Sequence, residues 1–332
     1  MKKNLLPLFV ISILALFLLS ACNSEHVHDF SEWSVSVEAG CKTDGKRIRS
    51  CSCGESESES VPAIGHNYED GICTNCNADE PSPAEYFIFT ELEDGTYSVK
   101  AADPNTISGK IVIPSEHNGK RVTKIETSGF NWCSKITEIV ISEGIVLIDT
   151  VAFSGCSSLE KIIIPKGITE IPTACFADCD ELTKIVLPDG ITKICHSAFL
   201  NCTKLKKVEI GEGLKVIEDW AFKNCLSLES INIPDGTESI GMSCFTYTAL
   251  IEIKIPGSVK LINNEAFLGI WPLEKIYLSS NNTRICDSAF DRCSHISDVY
   301  FSGSEEDWKK VIIGPENDDL TSATLHYNYS GN

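Results

Sequence analysis

Ile171-Pro172-Thr173-Ala174-Cys175-Phe176-Ala177-Asp178-Cys179-Asp180-Glu181-Leu182-Thr183-Lys184-Ile185-Val186-Leu187-Pro188 is the stretch of the 332-residue chain in which the fold is written most fully. Ile185 and Leu187 stand two apart, which is the inward face of a short strand. Pro188-Asp189-Gly190 then forces the turn that ends it. Phe176 lies on the limb that returns to the start. The same frame comes back along the chain, with phenylalanine at Phe130, Phe153, Phe176, Phe199, Phe222, Phe245, Phe267 and Phe290. The steps are 23 residues, except for 22 between Phe245 and Phe267. The preceding residue is always small (Gly129, Ala152, Cys175, Ala198, Ala221, Cys244, Ala266, Ala289), because only a small side chain fits beneath stacked rings.

One such unit cannot bury its own apolar face, whereas stacked units share a continuous core. The predicted fold is therefore a repeat solenoid, a leucine-rich-repeat stack of 23-residue units. It has a parallel β-sheet on one face, and its return limbs are irregular or briefly helical. Nine rungs run from Ile111-Ile113 to Val299-Phe301. They predict a sheet on the order of 40 Å long at about 4.8 Å per strand. Open ends need covers. Residues 86–110, with a hairpin about Asp94-Gly95, serve at one end and residues 304–332 at the other. In the second cover Glu305, Glu306 and Asp307 precede Lys309 and Lys310, the order that suits a short helix, and Trp308 is placed to seal the last rung. The solenoid proper is residues 111–303.

The frame Phe-x-x-Cys-x-x-Leu-x-x-Ile-x-Ile-Pro, together with the closing Val299-Tyr300-Phe301-Ser302-Gly303-Ser304-Glu305-Glu306-Asp307-Trp308, resembles the BspA-like class of leucine-rich repeats. The resemblance covers about residues 86–327. It implies a bacterial surface protein and names no ligand. Three departures predict local irregularity: the Phe245 unit lacks its Cys and one residue, Ile270 replaces Cys in the next unit, and Asn282 stands at an aliphatic position.

Ahead of the repeats, Met1 to Asn4 carry two lysines and Leu5 to Leu19 is almost wholly apolar, the layout of a secretory leader over residues 1–21. Leu19-Ser20-Ala21-Cys22 resembles the bacterial lipobox, which implies lipidation of Cys22 and an anchor at residues 22–25. The expected location is extracytoplasmic, with the chain held at the bacterial membrane or cell surface by lipid. The formal charge of -19 argues against a nucleic-acid partner.

Residues 26–80 differ in kind, with Cys41, Cys51, Cys53, His66, Cys73 and Cys76 set among polar residues. So small a module needs a staple. Lys46 to Cys51 and Glu55 to Val61 alternate like a hairpin, and Cys73-Thr74-Asn75-Cys76 has the form of a zinc-knuckle half-site. Five cysteines are an odd number for disulfides alone, whereas an exported chain favours disulfides; both structural zinc and disulfide bonding stay open. For zinc, Cys41, Cys51, Cys53 and His66 form one expected set, and Cys73 and Cys76 half of another, with His28 the candidate to complete it. Pro81-Ser82-Pro83 makes residues 81–85 a stiff linker. In the repeats, Cys133, Cys156, Cys179, Cys202, Cys225 and Cys293 share one position and read as a file of buried thiols.

No phosphate loop, metalloprotease helix or nucleophile elbow occurs, and the chain is not expected to be an enzyme. Outward positions of the sheet instead form columns. One includes Val140, Ile163, Val186, Tyr277 and Tyr300; its neighbour includes Lys161, Lys184 and Lys207, a local reversal of sign on an acidic protein. That face is the expected contact surface for an extracellular protein or glycan. The alternatives are a spacer or coat component with no ligand, and a metal-binding role for residues 26–80.

Overall fold

The computed structural model describes residues 27–280 and 282–330; the leader and Cys22 lie outside them. The chain divides after Glu80 into two compact units. The larger is a β-solenoid of about ten parallel turns with little helix. Its face carries the strands Gly109–Ile113, Ile136–Ile141, Lys161–Ile163, Lys184–Leu187, Lys207–Ile210, Ser230–Ile231, Glu252–Ile255, Lys275–Leu278, Asp298–Phe301 and Thr324–His326. Pairing is parallel and in repeat register, as in Lys184 with Lys207 and Leu187 with Ile210. The tenth strand, Thr324–His326, pairs with Asp298–Phe301 and adds a rung beyond the nine counted in sequence. It escaped that count because its unit has no Phe.

The return limbs are more ordered than expected. Pairs such as Glu170–Ile171, Lys193–Ile194 and Val216–Ile217 form a second parallel sheet of seven strands ending at Ile312–Ile313. Each strand is two residues long, and all but the last carry one buried isoleucine, too short for periodicity to announce. Between the sheets run the eight phenylalanines, all essentially without solvent exposure. Neighbouring rings stack at centroid separations from 5.5 Å for Phe130–Phe153 to 4.9 Å for Phe267–Phe290. The chain turns sharply on both sides of each ring. The residues two before and two after Phe176, Ala174 and Asp178, have φ of 51° and 59°, and most other rungs repeat this pair with non-glycine residues.

Repeat cysteines lie beside the rings and are not bridged. Their thiols donate to the carbonyl of the Phe one rung back: Cys156 Sγ to Phe130 O at 3.2 Å, Cys202 Sγ to Phe176 O at 3.0 Å, Cys293 Sγ to Phe267 O at 3.0 Å. Thr248 stands where the Phe245 unit lacks Cys, and its hydroxyl donates to the Phe245 carbonyl at 2.9 Å. At the next irregularity Asn282 is exposed and Thr283 turns inward instead, donating to Val259 O at 2.7 Å.

The two ends of the solenoid are covered differently. The strands Phe87–Glu91 and Tyr97–Ala101 make the hairpin, which extends the return-limb side through pairing with Lys120–Ile125 rather than the face. The face edge is guarded by the supposed linker. Ser82 N–H donates to Val112 O at 3.1 Å, and Val112 N–H donates to Ser82 Oγ at 2.9 Å, so these residues are pinned to the solenoid. At the far end Ser304 caps the helix Glu305–Trp308 through a reciprocal bond with Asp307, and Trp308 meets Phe301 edge-on at 5.3 Å.

Candidate functional site

The solenoid face is less uniform than its columns suggest. Val112 and Val140 are buried, so the apolar stretch open to solvent is Ile163 and Val186, at 41% and 50% exposure. The column places Val140 outward, but the edge rungs are covered. The lysine column is not a free positive strip either. Lys161 pairs with Glu138 at 2.9 Å, and Lys184 and Lys207 both reach Glu209, at 2.9 and 2.8 Å. These two ammonium groups hold the Glu209 carboxyl below its ordinary range. The outward-facing Glu209 of the adjacent column supplies the charge that a column-by-column reading leaves out.

The one-residue deletion in sequence lies beside one of the two interruptions of the face sheet. The chain is short by one residue between Phe245 and Leu250, just before the strand Glu252–Ile255. That strand does not pair with Ser230–Ile231; the face sheet is interrupted there and also, with no residue lost, between Lys161–Ile163 and Lys184–Leu187. A groove of about 360 Å³ opens at the break, with Lys207, Glu209, Ser230, Asn232, Glu252 and Lys254 around it. Short Ser230 and Asn232 form its middle while the longer side chains of both signs stand at its margins.

Lys254 also links the groove to an aromatic file, its ammonium lying 5.5 Å from the Tyr277 ring centroid. Tyr277 stacks on Tyr300 at 4.9 Å and Tyr300 on His326 at 4.5 Å, while Tyr329 leans over both tyrosines. The His326 ring is tied to Asp298 by Nε2–Oδ1 at 2.6 Å. Sequence columns contain Tyr277 and Tyr300. They miss His326 and Tyr329, which belong to the closing segment outside the Phe frame.

In the small unit the strands Ser34–Val37, Gly45–Ser50 and Ser56–Val61 form an antiparallel sheet, and Tyr68–Glu69 and Ile72–Cys73 a second hairpin. Asp70 and Gly71 between the last two both have positive φ, the turn that a tight hairpin requires. The first sheet is held by Arg47 with Glu59 and Arg49 with Glu57, and both guanidinium groups lie over the Trp33 ring.

These hairpins regroup the cysteines. Cys41, His66, Cys73 and Cys76 bring their ligand atoms together within 4.8 Å, as do His28, Cys51 and Cys53. The expected set of Cys41, Cys51, Cys53 and His66 is thus divided. Backbone bonds from Ile64 to Gly40 and from Gly65 to Cys41 carry Cys41 to the second hairpin, a long-range pairing that linear spacing does not encode. Cys41 Sγ lies 3.7 Å from Cys73 Sγ, and Cys76 Sγ 3.4 Å from His66 Nδ1. Burial pushes the Cys41 thiol up to about 12, aided by its thiol neighbours. Burial opposes the Cys73 thiolate too, but hydrogen bonds from the Asn75 backbone, the His66 ring and the Cys76 backbone outweigh it and bring Cys73 down to about 5. The cluster can hold a metal ion.

Among the described residues no helix is long and apolar enough to cross a membrane. No curated protein matches the chain. Among solved structures, a leucine-rich repeat protein from Bacteroides ovatus is 22% identical, with 76% of this chain and 79% of that chain covered and a TM-score of 0.39. A leucine-rich repeat protein from T. pallidum is 20% identical over 71% and 86%, with a TM-score of 0.37. A leucine-rich cell surface protein from Faecalibacterium prausnitzii is 18% identical over 71% and 98%, with a TM-score of 0.29. The model of the BspA-type leucine-rich repeat region matches in six copies, over residues 109–225 and 169–297. On that repeated match, which spans more than half of the sequence, the chain belongs to the BspA-type leucine-rich-repeat family.

Proposed function

We propose that this protein is an extracytoplasmic binding module, anchored through lipid on Cys22, that presents its solenoid face to an extracellular protein or glycan. The observation that carries this reading is the groove at the interrupted sheet, continuous through Lys254 with the aromatic file. Paired charges of both signs and half-buried rings supply hydrogen bonds and flat apolar surface side by side. Such a surface suits a neutral or mixed-charge ligand better than the anionic one that three unpaired lysines would favour. A soluble form, residues 23–332, screened against immobilised glycans and extracellular proteins tests it. Saturable binding abolished by Asn232→Trp, which fills the groove, supports the reading. Binding unchanged by both Asn232→Trp and Tyr277→Ala removes this end of the face, and no ligand across the screen favours a spacer or coat component.

A second reading attaches to the small unit, which we infer to hold structural zinc. In a tetrahedral site with Zn–S near 2.3 Å and Zn–N near 2.05 Å, neighbouring ligands stand about 3.8 Å apart for S and S and about 3.6 Å for S and N. The 3.7 Å between Cys41 and Cys73 and the 3.4 Å between Cys76 and His66 match those edges. Metal analysis of the purified chain alongside a thiol assay tests this. Well under one zinc per chain with most of the small unit's cysteines oxidised would replace zinc by disulfides.

A further inference from the structure

The position two residues after each repeat phenylalanine lies in left-handed backbone in every rung, with φ of 58° at Trp132 and 59° at Tyr247. Gly155, Asp178, Asn201, Asn224 and Gly269 fill this column with the residue types that tolerate such backbone best. Trp132 and Tyr247 do not belong to them, since left-handed backbone is costly for a bulky side chain. Neither ring offsets that cost by packing into the core: Trp132 is 63% exposed and Tyr247 43%. Backbone strain held at the surface by a ring that supports nothing beneath it points to a site.

Each ring has its own seat. Trp132 lies over Gly155 of the next rung, where a Cβ would come within 2.6 Å of the indole. Tyr247 lies over Gly269 in the same way, where a Cβ would stand 2.5 Å from the phenol ring. The backbone beneath is fixed as well, Trp132 N–H donating to Ser154 O at 2.8 Å and Tyr247 N–H to Leu268 O at 3.1 Å. Between the two seats the column is a polar ladder. Asn201 Nδ2 donates to Asp178 Oδ1 at 2.8 Å and Asn224 Nδ2 to Asn201 Oδ1 at 2.8 Å, all three side chains being half-buried.

The ridge therefore reads ring, ladder, ring, with the rings five rungs apart, or about 24 Å at about 4.8 Å per rung. A protein contact is built around a contiguous, desolvated centre, which two separated rings do not make. A sugar chain has the matching alternation. One face of a β-linked hexopyranose carries axial C–H bonds, which the negative face of an aromatic ring attracts. Its hydroxyls both donate and accept, as asparagine side chains do. An extended chain of such sugars advances by close to one rung spacing per unit. The formal charge of -19, with Asp178 on the ridge itself, disfavours an anionic polymer.

We propose that this ridge is a second ligand site, separate from the groove on the solenoid face, which binds a neutral β-linked hexopyranose chain along the stack. Sugar rings sit on Trp132 and Tyr247, and hydroxyls of the units between them bond to Asp178, Asn201 and Asn224.

The test titrates the soluble chain, residues 23–332, with cellohexaose and mannohexaose by calorimetry, their trisaccharides serving as short comparisons and polygalacturonate as the anionic one. At least one hexasaccharide should bind saturably, at least about tenfold more tightly than its trisaccharide, which cannot reach both rings. Trp132→Asn and Tyr247→Asn should each weaken it at least about tenfold, and Asn232→Trp in the groove should leave it unchanged. Because asparagine suits left-handed backbone, both ridge variants should keep or raise the unfolding midpoint, and Trp132→Phe should restore part of the binding. A lowered midpoint in Trp132→Asn with unchanged binding would make the indole a structural cover and overturn the proposal. Equal binding of hexasaccharide and trisaccharide, or tighter binding of polygalacturonate, overturns it too. Sugar binding lost in Asn232→Trp and kept in both ridge variants moves the sugar to the groove, against this proposal and in favour of the function proposed for the face. No binding of any neutral probe, or capture of an immobilised protein alone that needs Trp132, overturns the ridge as a sugar site and leaves the groove untouched.

Discussion

The solenoid and the small unit use cysteine in opposite ways. In the solenoid, Cys133, Cys202 and their file are buried beside phenylalanine rings, each surrounded by a core that would exist without it. Burial pushes the Cys133 and Cys293 thiols up to about 12, so they stay protonated, and Cys293 serves as a small donor to the Phe267 carbonyl. In the small unit Cys51 and Cys73 are themselves the buried apolar side chains, and hydrogen bonds favour the Cys73 thiolate. The chemistry of a cysteine here follows from what else is available to bury. Where apolar side chains abound, the thiol is filler; where they are missing, it becomes the centre.

The sharpest way to break this contrast is to remove metal. A strong chelator should unfold the small unit, since structural zinc contributes roughly 10 to 16 kcal/mol in comparable small domains, and leave the solenoid intact. Hydrogen exchange would show amides of Gly45–Ser50 lose protection while those of Lys184–Leu187 keep it. Equal loss in both units, or none in either, would end the comparison. Next in size is Phe199→Ala, which removes a central ring from the stack and should cost roughly 3 to 5 kcal/mol in denaturant unfolding. A cost under 1 kcal/mol would mean that the ring stack is not the core.

Smaller still is Cys202→Ala, which removes the donor to Phe176 O and should cost about 1 kcal/mol. The same variant series gives a labelling test: in the metal-free chain a thiol reagent should reach the small unit's cysteines quickly and Cys202 only after the solenoid unfolds. The smallest effect expected is a gain. Val151 occupies left-handed backbone at φ 60°, costly for a β-branched residue, and Val151→Asn should stabilise by about 0.5 to 1 kcal/mol in the same unfolding assay.

What sequence reveals follows the same division. The ring stack was legible because eight phenylalanines repeat with a period much longer than any local pattern and each sits behind a small residue. The helix at Glu305–Trp308 was legible because a cap and its charges lie within one turn. The second sheet was not, since Ile171, Ile194 and Ile217 each stand alone in a two-residue strand. Pairing of Lys184 and Lys207 with Glu209 was hidden for a related reason: the acid belongs to the neighbouring column, on the rung of Lys207 and one beyond that of Lys184. The grouping of Cys41 with Cys73 rather than Cys51 depends on backbone bonds from Ile64 and Gly65, which no ligand spacing states.

A stack of identical rungs is translationally degenerate, and a ligand that fits one rung fits the next and can slip along it. Losing one residue between Phe245 and Leu250 removes that degeneracy locally. Because each rung touches only its neighbours, the rest of the stack absorbs the edit without shifting register, as the unbroken ring file through Phe245 and Phe267 at 5.2 Å attests. The deletion thus acts as an index mark on a ruler: it gives a repetitive surface a local irregularity against which an incoming molecule can be aligned.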